Sequence, residues 1–217
     1  MGKSRKEYIY ALKYRWLTPL YDPILRLTLR EQTFKKALVE QARIQPGQRV
    51  LDLGCGTGTL TLLIKSAHPH ARVVGFDGDP KILSLAQAKA ARAGLEIDWK
   101  QGLAQELPYA NGCFDRVLSS LMLHHLSSEN KRAALREVLR VLRPGGELHV
   151  ADWGKPQNAL MRPASLLIAL LDGYSRENVA GLLPELFRQA GLAEARQAAH
   201  YNTLFGTLAL YSARKPA

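Results

Sequence analysis

The sequence predicts an α/β fold: a doubly wound, mostly parallel sheet with helices on both faces, ending in an antiparallel strand. Three observations carry that expectation. Short apolar runs alternate with helix-periodic segments, and strand–helix alternation at this spacing builds a parallel sheet. Gly54, Gly56 and Gly58 crowd the first strand-to-helix turn, inside "VLDLGCGTGTLTLLIK" (50–65). The last two apolar runs, "AEARQAAHYNT" and "LFGTLALYSAR", follow one another without a crossover helix, which forces an antiparallel pair.

Residues 1–43 come first, with ten Lys and Arg against four Asp and Glu, so +6 of the net +11 sits there. In "YALKYRWLTPLYDPILRLTLREQTFKK" the basic residues are interleaved with apolar ones at helical spacing, the pattern of amphipathic helices. Pro19 and Pro23 interrupt that pattern beside Tyr14, Trp16, Leu17 and Tyr21, which suits a flap better than a core element. "RVLDLG" (49–54) is a short apolar run ending in glycine, hence a buried strand, and "TLTLLIKSA" reads as the helix after it. "ARVVGFDG" (71–78) is the second strand. "DPKILSLAQAKAARAGL" (79–95) is the second helix, with Pro80 in its first turn and Gly94 past its end. "EIDWKQG" (96–102), "FDRVLSSL" (114–121) and "ELHVADW" (147–153) are the third to fifth strands. "SSENKRAALREVLRVLRPGG" (127–146) is a helix stopped by Pro144 and Gly145. "NALMRPASLLIALLDGY" is an apolar helix with one arginine, either packed on the sheet or a greasy lid. "ENVAGLLPELFRQAGL" (177–192) is the last helix before the terminal strands.

Composition bounds the function. A chain of 217 residues fits one domain with a full core, and 47% hydrophobic with 23% charged residues is a soluble balance. No unbroken apolar stretch follows the basic start, so no signal peptide is expected. The longest apolar run, "PASLLIALL" (163–171), falls short of the ~20 residues of a membrane span. Two cysteines, Cys55 and Cys113, make no disulfide framework and point to a reduced cytoplasm. The basic excess fits a solvated surface, or an acidic partner such as nucleic acid or an anionic membrane surface; nucleic acid is not the favoured partner.

Glycine costs roughly 0.5–1 kcal/mol relative to alanine inside regular structure. Three glycines in five residues therefore mark a place where backbone approaches something. In an open parallel sheet that place is the carboxyl end of the strands, where a helix starting near Thr57 points its N–H groups. Asp77 ends the second strand nineteen residues after Gly58, positioned to accept both hydroxyls of a ribose. The spacing is G-x-G-x-G, with Thr59 where a dinucleotide site has its third glycine, and no Walker lysine follows. The ligand indicated is an adenosine without phosphates.

With "VLDLGCGTG", "VVGFDGDP", "ELPYANGCFDRVLSSLMLHHL" and "LREVLRVLRPGGELHVAD" in order from Arg49 to Asp152, nearly half the chain resembles the class I S-adenosylmethionine-dependent methyltransferases. The resemblance is to the broad group that includes the ubiquinone/menaquinone-biosynthesis enzymes. It implies a Rossmann-like seven-stranded sheet, S-adenosylmethionine as methyl donor and S-adenosylhomocysteine as product. It also implies that Gly54, Cys55, Gly56 and Gly58 line the methionine and ribose part, that Asp77 holds the ribose hydroxyls, and that Gly78 and Pro80 border the adenine. Ser119 and Leu121 would face the methionine end. Many members carry an acidic residue in a G-D-A triplet that accepts from the adenine amino group. Here Gly102, Leu103 and Ala104 stand there, so adenine recognition falls to backbone and apolar packing. The arginine–asparagine pair of the quinone enzymes is replaced by "LMLHHL", leaving a quinone as one candidate acceptor among others.

Methyl transfer needs alignment and exclusion of water, and a base only where the nucleophile starts protonated. His124 and His125 are base candidates at the mouth of the site, projecting to different sides; Tyr174, Tyr14 and Tyr21 are further candidates near the pocket. Tyr14 or Tyr21 is expected to touch the methionine end, in a segment that orders over the site when cofactor binds. Asp115 and Asp152 read as structural, and no metal-ligand spacing occurs. The expected organisation is one domain, 1–217: a helical cap (1–43), a cofactor-binding core (44–153), a possible lid (154–176), and a helix with the terminal hairpin (177–217). The function expected is methyl transfer to a small apolar or amphipathic molecule, with an RNA or protein acceptor, or binding without transfer, as alternatives.

Overall fold

Helix α1, Glu31–Ala42, lays Phe34, Leu38 and Ala42 against the sheet with none of their surface exposed. They join Val50, Ile64, Ala151 and Leu208 in one of two cores, one on each face of the sheet. The computed structural model describes residues 31–157, 161, 174–203 and 206–217. The expectations for Tyr14, Tyr21, the proline-broken segment and most of 154–176 therefore lie outside the described residues. Within 31–43 the chain is scaffold and not a cap. Gln41 Nε2 donates to the Tyr211 carbonyl at 3.0 Å, fixing α1 to the far side of the sheet. Removing a side chain such as Leu38 there costs about 2–5 kcal/mol.

Seven strands follow: β1 Arg49–Leu53, β2 Arg72–Asp77, β3 Asp98–Gln101, β4 Phe114–Ser120, β5 Leu142–Trp153, β6 Ala193–Thr203 and β7 Gly206–Arg214. Their spatial order is β3-β2-β1-β4-β5-β7-β6. β1 to β5 pair in parallel, and β7 runs antiparallel between β5 and β6. The helices are α2 Thr59–Ala67, α3 Pro80–Arg92, α4 Ser128–Val141, α5 Arg176–Val179 and α6 Leu183–Gln189. β1 and β4 are neighbours although β2 and β3 intervene in the chain, so the order switches at the carboxyl end of β1. Ligands of open α/β sheets bind at such a switch.

α2 spans the expected "TLTLLIKSA", Thr59–Ala67, with Gly58 at its N-cap in the left-handed region. Three details differ from the sequence reading. α4 ends at Val141, before Pro144, and β5 already begins at Leu142. Proline disfavours a helical residue before it, which extends Arg143. The register of β4 on β5 then shifts between Phe114 and Arg116. The final helix is two short ones, because Gly181 adopts a φ of 77° that no helix tolerates.

Candidate functional site

The glycine turn joins β1 to α2. Gly54, Gly56 and Gly58 have φ of 72°, 54° and 79°, the region that penalises any Cβ. They serve different ends. A Cβ on Gly54 would lie 2.2 Å from Met122 Cγ, and one on Gly58 would lie 2.9 Å from both Ala86 and Trp99. Those two glycines are packing positions. A Cβ on Gly56 would meet nothing within 4 Å, so the loop opens there. Cys55 points the other way: its residue is 7% exposed, and its Sγ lies 3.4 Å from a Cβ built on Gly75 beneath the turn. Burial, with the nearby Asp52 and Asp77 carboxylates, pushes the thiol up. Cys55 therefore lines the loop only through its backbone, whose N–H already donates to Phe76.

Asp77, at the tip of β2, ties this loop to the next. Its Oδ2 accepts the Gly56 N–H at 2.9 Å and its Oδ1 accepts the Asp79 N–H at 3.0 Å. Asp79 in turn caps α3, accepting from Lys81 N–H at 2.8 Å, with Pro80 exposed in the first turn. The end of β3 closes the group: Gly102 N–H donates to the Asp77 carbonyl at 3.0 Å, and Gln101 reaches the Gly78 carbonyl. Gly102, Leu103 and Ala104 are half-buried at this edge, with Ala104 packed on the core. The glycine turn, Asp77, Gly78 and the Gly102–Ala104 stretch thus form one contiguous rim.

On the other side of β1 stand the ends of β4 and β5. Ser119 is buried and donates its hydroxyl to the Leu53 carbonyl at 2.8 Å, so it stitches β4 to β1. The adjacent Ser120 Oγ and the Asp52 Oδ1 are buried without a hydrogen-bond partner. Asp52 Oδ2 accepts from Thr61 at 2.6 Å; burial nonetheless pushes its carboxyl up to about 6. Leu121 has φ of 54°, a left-handed conformation that is strained for a side chain of its size, and donates its N–H to the Ala151 carbonyl. A short 3-10 turn, Leu123–His125, follows.

That turn places His124 Nδ1 2.7 Å from Asp152 Oδ1. Asp152 is wholly buried and also accepts the Trp153 N–H at 2.7 Å and the His124 N–H at 3.3 Å. Burial pushes its carboxyl up, but the charge and hydrogen bonds of His124 together with the Trp153 N–H outweigh that and hold it below the usual carboxylate range. Asp152 is therefore tied to His124 across the β4–β5 pair. The two histidines do not project to different sides: their rings lie 3.9 Å apart at 45°, as the tight turn brings them together. Burial first, then His124, lowers His125 to about 3, so it is neutral and a poor base at pH 7. Tyr174 is 43% exposed, and its carbonyl accepts from the buried Lys131. Asp115 sits at the opposite end of the sheet, holding the Arg49 N–H and Arg143. An open depression of about 750 Å³ at that same end is lined by Arg49, His70, Arg72, Glu96 and Asp98, and its mixed charges lie away from the glycine turn. Among the described residues no cluster of three metal-ligating side chains occurs, and no helix is long and apolar enough to cross a membrane.

An adenosine bearing a methionine-like tail fits the rim described: Gly56 leaves its open side, Asp77 sets its carboxylate beside it, and Ser120 offers an unpartnered hydroxyl. Sequence reasoning missed Asp152, Asp52, Ser120 and Met122. Asp52 alone carried a signal, as the acidic residue two positions before Gly54.

Comparison with known proteins gives one consistent result. Residues 50–146 match a family model described as a methyltransferase domain. An uncharacterized methyltransferase of Synechocystis sp. is 32% identical over 191 residues, 87% of either chain. A demethylmenaquinone methyltransferase of Thermus thermophilus is 31% identical over 92% of this chain and 98% of its own. The crystal structure of a SAM-dependent methyltransferase from Aquifex aeolicus superimposes with a TM-score of 0.64 at 18% identity, covering 83% of this chain and 89% of the other, which supports the fold.

Proposed function

The chain belongs to the S-adenosylmethionine-dependent methyltransferase family, and from that premise we propose that it transfers a methyl group to a small, apolar or amphipathic acceptor. The observation that carries the cofactor assignment is the Asp77 carboxylate latched to the Gly56 N–H at the switch point of the sheet. In this reading Asp77 takes the ribose hydroxyls, and Gly56 gives the tail its path along bare backbone. Gly78, Leu103 and Ala104 flank the adenine, and Ser120, Leu121 and Met122 border the methionine end. When bound, the cofactor supplies an already activated sulfonium methyl. The chain's own task is to align the acceptor and exclude water, worth roughly 7–11 kcal/mol when positioning is good.

The acceptor class draws on relatives whose names specify naphthoquinone-type substrates, in Thermus thermophilus and Synechococcus elongatus. The apolar stretch in 154–176 suits such a molecule. A second reading, an RNA acceptor, rests on the six net positive charges of residues 1–43. Incubating the protein with methyl-labelled cofactor and cell extract separates them: label is expected in the small-molecule or lipid fraction. Label in RNA, with binding that falls steeply with salt, would establish the second reading instead.

A further inference from the structure

We propose that His124, held by Asp152, is the proton acceptor of the transfer, and that the methyl acceptor is therefore an acidic hydroxyl compound, a phenol or hydroquinone. This rests on the methyltransferase reading above. Asp152 is fully buried, which is strongly unfavourable for a carboxylate unless it is paired, and its hydrogen bonds come from His124 and Trp153. With Nδ1 at 2.7 Å from a carboxylate, His124 is held as the Nδ1–H tautomer, which leaves Nε2 as the basic atom.

The backbone around the pair is shaped for this contact. Leu121 accepts a left-handed φ of 54° so that the chain reverses directly after β4 and delivers His124 onto β5. The register already brings Ser120 beside Ala151, the residue before Asp152. Met122, in the same reversal, packs on Gly54 of the glycine turn. The pair therefore stands at the end of the sheet where the methyl donor is expected, next to its loop. The titratable groups around it are His125, neutral at 3.9 Å, the Tyr211 hydroxyl, which feels Asp152, and Glu177 on α5, which is engaged by Lys131 and Arg132. None of them competes as a base at neutral pH.

The proton balance requires an acceptor that sheds a proton on methylation, as a phenol or hydroquinone does. The acceptor's hydroxyl proton passes to Nε2 while its oxygen, or the ring carbon conjugated to it, bonds the methyl carbon; where carbon is methylated, that carbon then loses its ring proton and the oxygen regains one, restoring the aromatic ring. The carbon–sulfur bond breaks with its electron pair left on sulfur, and the imidazolium releases the proton to solvent. A thioether or tertiary amine has no proton to give, and the pair would have no part in its methylation. His124 is the catalytic residue in this scheme and Asp152 a positioning residue.

Two measurements test it. Nitrogen-15 spectra of histidine-labelled wild-type protein at pH 7.5 should show His124 protonated at Nδ1 and bare at Nε2; the opposite tautomer would overturn the proposal, whatever the variants do. Product formation is then followed with 1,4-naphthohydroquinone and 4-nitrophenol against dimethyl sulfide and N,N-dimethylaniline. The hydroxyl probes should be methylated, with His124→Asn lowering the rate about 10²–10⁴-fold. Asp152→Asn should lower kcat with KM retained and move the acid limb of the pH profile to lower pH. If only the probes without a proton are methylated, if none is methylated by protein that binds S-adenosylhomocysteine, or if folded Asp152→Asn protein keeps the wild-type profile, the proposal fails. Protein that does not bind S-adenosylhomocysteine at all would instead defeat the methyltransferase reading beneath it.

Discussion

Replacing Asp77 by alanine should weaken S-adenosylhomocysteine binding by at least about a hundredfold, the figure that its ribose role implies. The Asp77 carboxylate holds the Gly56 and Asp79 N–H groups, and in that role it accepts two bonds from a ribose diol. Hydrogen bonds to a charged group contribute roughly 1.5–3 kcal/mol each, so two give about 3–6 kcal/mol. At ~1.4 kcal/mol per decade this is roughly 10²–10⁴ in Kd. The substitution also frees the Gly56 N–H, so part of the loss comes from a loosened turn. Both backbone bonds lie at a half-buried site that water reaches, and their loss should lower stability by only about 1–2 kcal/mol. Calorimetric titration gives the affinity, and thermal melts confirm the fold. A folded Asp77→Ala protein with Kd within about twofold of wild type would refute both the ribose role and the cofactor site built around it.

Leu103→Asp restores the acceptor that many relatives place beside adenine; affinity for S-adenosylhomocysteine should be kept or improved, and complete loss of binding in a folded protein would remove Leu103 from the adenine edge. Asp52 is raised from 3.8 to about 6, so the native state binds the extra proton between those values and stability falls as pH rises through that window, by about 3 kcal/mol at ~1.36 kcal/mol per unit. Urea titrations at pH 4 and pH 7 should therefore show Asp52→Asn gaining about 2 kcal/mol on wild type between the two, whatever its constant offset, because the unfolded carboxyl is already partly ionised at pH 4; a pH-independent difference would show that the carboxyl is not raised. Gly54→Ala places a Cβ at a φ of 72° and 2.2 Å from Met122 Cγ, so it should destabilise the fold, with Met122→Ala restoring part of the loss in the double variant; equal stability of Gly54→Ala and wild type in urea would contradict the packing described.

The sheet was legible because buried parallel strands are near-continuous apolar runs, and "RVLDLG", "ARVVGFDG" and "FDRVLSSL" are three of them. The position of Asp77 followed from the same pattern. The start of β5 was not legible: Pro144 and Gly145 look like a helix stop, while Arg143 had already been extended by the proline after it. The apolar period runs unbroken through Gly181, so nothing in it reports the left-handed φ that divides the last helix. The direction of Cys55 depends on which face of the turn its Cβ takes, and periodicity is silent on that. Asp152 lies 28 residues from His124 in the chain, and only the pairing of β4 with β5 brings them together.

The two ends of the sheet treat buried polar groups in opposite ways. At the amino end, charges are neutralised in place: Asp115 takes the Arg49 N–H and Arg143, and Glu147 takes His149 and Arg116. At the carboxyl end, Asp52 Oδ1 and Ser120 Oγ are buried without partners, and Leu121 holds a strained φ. Each unsatisfied atom costs about 1–3 kcal/mol, and a left-handed leucine about 1–2 kcal/mol. Against a total stability of about 5–15 kcal/mol these are large concessions, and they cluster beside the glycine turn. Core packing does not call for them, since Val50, Leu51 and Leu53 fill both faces of β1 on their own. The proposed cofactor site accounts for them together, since it uses bare backbone at Gly56 and polar atoms at the rim. In the proposed transfer the same chain reversal sets His124 against Asp152.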